Sequence, residues 1–115
     1  MDTKNFSELN PFLGPGVAFE GKIIIQEGDL RLERTETIKA DIEVKTGKVL
    51  LTAVKLFEGV IRAQEICFDN GSKGKGDLIA KKITFKKSTE FDGVLNTAAL
   101  VSEDGAIITG TIKRS

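Results

Sequence analysis

The sequence predicts an all-β fold, a β-solenoid of about six windings, and three observations carry that prediction. An apolar-x-small-x-apolar signature recurs six times from Phe19 onward. The central small residues of these signatures are 19, 19, 17, 17 and 17 residues apart. Between signatures, apolar residues alternate with polar ones, which is the period of a half-buried strand and not of a helix.

Residues 1–16 precede the first signature and read as an N-terminal arm that partly caps the rod, with a β-helical domain over 17–115. Phe6 and Leu9 are the arm's candidates for membrane contact. Asp2 and Glu8 outweigh Lys4 there, and two apolar residues without a basic cluster make a weak anchor, so membrane association is not favoured.

The signatures run in order as Phe19-Glu20-Gly21-Lys22-Ile23, Ile38-Lys39-Ala40-Asp41-Ile42, Phe57-Glu58-Gly59-Val60-Ile61, Gly74-Lys75-Gly76-Asp77-Leu78, Phe91-Asp92-Gly93-Val94-Leu95 and Ile108-Thr109-Gly110-Thr111-Ile112. The first two units are followed by four-residue connections containing Gly28 and Gly47. The next three have two-residue connections, Gln64-Glu65, Lys81-Lys82 and Ala98-Ala99. The two-residue change in spacing is therefore a corner insertion. Leu30-Arg31-Leu32, Ile66-Cys67-Phe68 and Ile83-Thr84-Phe85 are the clearest alternating strands. Asn70-Gly71, Asp92-Gly93 and Asp104-Gly105 would read as hairpin turns alone, but their recurrence in units of constant length favours a coil.

Three short strands and three corners need roughly 17 to 19 residues, the size of one triangular winding. Equivalent residues then stack as ladders along the rod, and Phe19, Ile38, Phe57 and Phe91 form one core ladder. Gly74 interrupts it and leaves a packing deficit for Phe68 or Phe85 to fill.

At 115 residues the chain fits one domain. Seventeen basic residues balance seventeen acidic ones, so nothing favours nucleic acid, and near-zero net charge permits self-association. The single Cys67 forms no internal disulfide, and the chain has neither a signal-peptide core nor an apolar run of membrane-spanning length. A cytoplasmic location is expected.

No catalytic, cofactor-binding or metal-binding residues are assigned. The sequence has no histidine, which removes the commonest general base and metal ligand together. Cys67 alternates with inward Ile66 and Phe68, so it faces outward with no partner to activate it. Glu103-Asp104 could in principle act on sugars, but β-helical glycan-cleaving enzymes are much longer. The run Gly71–Gly76 lacks the strand-to-helix setting of a phosphate loop. Lys73, Lys75, Lys81, Lys82, Lys86 and Lys87 crowd fifteen residues with Asp77 the only acid. They are candidates for an anionic surface such as membrane or wall polymer, but a solvated face that discourages sideways strand pairing is the preferred reading.

The opening Leu13-Gly14-Pro15-Gly16-Val17-Ala18-Phe19-Glu20-Gly21, the repeated Phe-Glu-Gly and Ile61-Arg62-Ala63-Gln64-Glu65 resemble the bactofilins, bacterial polymer-forming cytoskeletal proteins, over residues 13–112. The resemblance implies a right-handed parallel β-helix with a triangular core and nucleotide-independent, non-polar filaments joined end to end. It also implies scaffolding in the cytoplasm or at the inner face of the membrane, with copies of itself, other bactofilins or cell-wall enzymes as partners. Gly74 departs from the family's apolar residue there. The chain also carries little of the usual flexible C-terminal tail, so recruitment through a tail is not expected.

The last signature runs directly into Lys113-Arg114-Ser115. Ile108 and Ile112 are therefore the expected polymer contact, with Lys113 and Arg114 as counter-indications because terminal charges also act as gatekeepers. The alternative function is a non-polymerising β-helical binding module for glycan or a cell-wall enzyme, and an enzyme is the third.

Overall fold

Strict alternation of apolar and polar residues puts every second side chain on one face of a strand, and a solenoid buries that face against itself. The computed structural model describes residues 12–114. It forms β1 (Phe12–Leu13), β2 (Phe19–Ile25), β3 (Leu30–Glu33), β4 (Thr37–Val44), β5 (Lys48–Thr52), β6 (Leu56–Arg62), β7 (Glu65–Asp69), β8 (Lys73–Phe85), β9 (Glu90–Ser102) and β10 (Ile107–Arg114). All pairings are parallel. One ladder runs β2-β4-β6 and on through the first halves of β8 and β9 to β10. A second runs β1-β3-β5-β7 and on through the second halves of β8 and β9. The chain thus winds as a β-solenoid of about six turns, and β1 at Phe12–Leu13 already pairs with β3.

Register follows the spacing of the small residues. Gly21 pairs with Ala40, Ala40 with Gly59, Gly59 with Gly76, Gly76 with Gly93 and Gly93 with Gly110. The glycine bends the strand instead of ending it, so two sides of a winding form one continuous strand where sequence reading expects two. At Gly93 the bend has φ 145°, and a Cβ would run into the carbonyl oxygen of Gly76 in the winding below. Glycine is required there both for its backbone angle and for the close approach. The corner at Gln64-Glu65 separates β6 from β7, but those at Lys81-Lys82 and Ala98-Ala99 lie inside β8 and β9, which each continue for 13 residues onto the next side of the same winding.

The link from the second ladder back to the first is too short for a strand. It stacks through backbone bonds from Lys55 to Thr35, Lys73 to Val54, Glu90 to Ser72 and Ile107 to Thr89. Buried Thr35, Val54, Ser72 and Thr89 fill its interior. The Ser72 hydroxyl donates to a neighbouring carbonyl and accepts the Val54 N–H at 2.9 Å, which satisfies polar groups that burial would otherwise penalise.

The core is a stack of rungs. Phe19, Ile38, Phe57, Gly74, Phe91 and Ile108 succeed one another in register. At Gly74 a Cβ would stand 2.7 Å from the ring of Phe68. That ring occupies the space the missing side chain leaves, 5.1 Å from Phe85 and edge-on to Phe91 at 5.8 Å. The Phe68 ring thereby closes the gap between Phe57 and Phe91, touching Phe85 and Phe91 in geometries that favour aromatic contact.

Candidate functional site at the end of the rod

β10 is held on one side only. It pairs with β9 along its whole length, from Ile107 on Glu90 to Arg114 on Thr97, and among the described residues no strand pairs with its other edge. Eight residues of strand therefore present unpaired backbone donors and acceptors, the feature that templates addition of another chain.

The side chains of this last winding repeat the core pattern, and among the described residues no further rung covers them. Ile108 stacks on Phe91, Ile112 on Leu95 and Leu100 on Ile83. Ala106, the residue before Ile107 and its bond to Thr89, sits on the short link between the two ladders. Phe91 is 2% exposed and Leu95 0%, whereas Ile112, one rung further, is 47% exposed. Leu100, Ala106 and Ile108 are partly buried against the core beneath them. Together the four residues form an apolar end face, which sequence reading locates only through Ile108 and Ile112. Adding one 17-residue period to buried Ile83 and Thr89 would have found Leu100 and Ala106 as well. Val101 and Ile107 extend the apolar surface around the rim, at 43% and 56% exposure.

The other expected sites fall out differently. The lysine-rich stretch spans most of one winding, so its side chains are distributed around the rod. Lys73 and Lys75 lie on the glycine-bend strand and pair with Glu90 at 3.5 Å and Glu58 at 3.9 Å. Lys81 and Lys82 lie at the two-residue corner in β8, and Lys86 and Lys87 just beyond it. Phe6 and Leu9 lie outside the described residues. Cys67 is a free, half-buried thiol on the outer face of β7, and burial, more than the charges near it, pushes its pKa up, which disfavours the nucleophilic thiolate.

Surface hollows offer no convergent chemistry. One of about 330 Å³ lies where the long corners give way to short ones, beside Glu43, Arg62, Gln64, Ile79 and Lys81. Among the described residues no group of three or more metal-ligating side chains comes together, and no helix is long and apolar enough to cross a membrane.

The family model described as "Bactofilin: Polymer-forming cytoskeletal" matches residues 11–113. Neither the curated proteins nor the solved structures contain a significant match.

Proposed function

This chain belongs to the bactofilin family, polymer-forming and cytoskeletal, and on that premise we propose that it assembles end to end into nucleotide-independent, non-polar filaments that serve as a scaffold. The observation that carries this reading is the uncovered last rung. Ile112 continues a ladder whose preceding member, Leu95, is fully buried, yet it is itself half-exposed. Contact between two copies of this end would be isologous, the same residues meeting across a two-fold axis, and because such a contact closes on itself, extension into a filament also requires a two-fold contact between the opposite ends of the rods. Contact at this end would also pair the free edge of β10. Burying a side chain of this type stabilises by about 1.5–3 kcal/mol, so the four apolar residues supply a useful driving force with no bound energy source. We further propose a cytoplasmic, structural role with no catalysis, since the family is described as polymer-forming and cytoskeletal and the sequence has no histidine and no phosphate-binding loop.

Negative-stain microscopy of purified protein in nucleotide-free buffer with chelator tests this directly. Long filaments are expected. Particles of fixed small size, or filaments that form only after nucleotide or divalent metal is added, would contradict it.

A further inference from the structure

The change from 19-residue to 17-residue windings leaves a step along one edge of the rod. The corners at 26–29 and 45–48 carry two more residues than those at Gln64-Glu65, Lys81-Lys82 and Ala98-Ala99, so they jut beyond them. Beside the jutting corner lies the hollow of about 330 Å³, with Ala63, Ala80 and the half-buried Ile79 among its lining. The corner residues that line it are Lys45, Gln64, Lys81 and Ala98, with no acid among them. Glu43 is the one acid of the hollow, and it stands beside Arg62 in register, which leaves Lys45 and Lys81 without an acidic partner there. None of the three cations enters the ion pairs found among the described residues.

An exposed apolar residue marks the same edge. Ile24, Glu43, Arg62, Ile79 and Asn96 form one outward column, and Ile24 is 46% exposed. Two isoleucines thus interrupt an otherwise polar column, three rungs apart.

The described chain also begins at this edge. Phe12 pairs with Arg31, just past the first long corner and one rung outside β3. Residues 1–11 precede it and carry two apolar side chains, Phe6 and Leu9, with two acids, Asp2 and Glu8, to one lysine. Their sequence is a poor further rung. Continuing the offset that pairs Phe12 with Arg31 would set Lys4 on Ile23, which packs against the core, and burying an unpaired charge there is penalised.

We propose that residues 1–11 lie instead along this edge of their own rod, with Leu9 over Ile24 and the Phe6 ring in the hollow against Ile79. From Phe12 to Ile79 is four rungs, about 19 Å along the axis at roughly 4.8 Å per rung. Six extended residues from Phe12 back to Phe6 span about 20 Å. The two isoleucines are about 14 Å apart on the same spacing, and Leu9 and Phe6 cover about 10 Å of backbone plus the reach of their side chains. Glu8 then passes beside Lys45 and Arg62, and burial of the Phe6 ring supplies the attraction. An arm held here leaves open the outer edge of β2, which no described strand pairs. The end-to-end reading needs that edge for its second two-fold contact, whereas the docking itself does not rest on that reading.

The test follows the arm in the full chain, in a Cys67→Ser background with Ile112→Arg to keep rods apart. Phe6→Cys is combined in turn with three partners: Ile79→Cys, Thr84→Cys on another side of the same winding, and Ile25→Cys, which Phe6 would cover as a further rung. Disulfide formation is timed on non-reducing gels. Ile79→Cys should close an intramolecular disulfide at least about tenfold faster than the other two, because docking raises the effective concentration. Equal rates would mean an unattached arm, faster closure to Ile25→Cys an arm over the end of the rod, and a product of dimer mass an arm docked on a second copy. Each of these overturns the proposal. The expected crosslink lies within one chain, so its result stands whether or not filaments form. A second readout needs no cysteine. The chain has no tryptophan, so Phe6→Trp reports the arm alone. Acrylamide should quench its emission at least about threefold less than after Ile79→Lys, an outward substitution expected to keep the fold. Emission and quenching of a fully solvated indole before that substitution would overturn the proposal.

Discussion

Phe91 and Ile108 hold the same place in adjacent windings, as do Leu95 and Ile112, but the interior pair is shut away from water and the terminal pair is not. The four residues are alike in chemistry, so the difference lies in whether a further rung follows. In a solenoid, burial is conferred by the neighbour along the axis. An apolar ladder that continues into the last winding therefore creates, at that winding, a surface with the composition of a core.

The largest effect expected from this contrast is at Phe91. Its ring is covered on both sides and touches Phe68 and Phe85, so Phe91→Ala should cost about 3–5 kcal/mol in denaturant unfolding, the range for truncating a buried aromatic ring. An unchanged melting temperature would mean that the winding register is wrong.

A smaller effect separates Gly93 from Gly110. Both have positive φ, and a Cβ at either would strike the carbonyl oxygen of the glycine one rung below. Gly93→Ala is locked between two paired strands and should cost about 1–3 kcal/mol, the scale of backbone strain. Gly110→Ala should cost less than half as much, because β10 is free on its outer edge and can move away. Equal losses in thermal or chemical melts would show that the last winding is as constrained as the interior.

How much of this was legible beforehand depends on whether it is local. The spacing of the small residues marks the windings, and Gly74 marks a vacancy that the Phe68 ring fills, because both follow from one residue repeating or failing to repeat. The repeat marks Gly93 as a ladder member but not as a bend within a strand, since a pattern of residue types does not reveal that its φ is positive. The bend is why two sides merge into one strand where sequence reading expects separate ones. Leu100 and Ala106 escaped assignment to the end face because they lie outside the signature, although the 17-residue offset places them there. The six lysines are close in sequence, and the preferred reading is a solvated face over an anionic-surface contact; a stretch nearly one winding long distributes their side chains around the rod.

The most direct test of the central claim, that the uncovered last rung is the polymer contact, is a paired measurement of folding and assembly on Ile108→Arg and Ile112→Arg. In a lone rod Ile112 is already half-exposed, so an arginine there should leave the melting temperature within a few degrees of the parent, roughly the shift of a surface change. In an apolar contact the same charge meets a desolvation penalty that the remaining attraction should not offset. The account predicts that both variants fail to form filaments in negative stain and that Ile112→Arg does so while fully folded. Filaments of parental length from folded Ile112→Arg would contradict it.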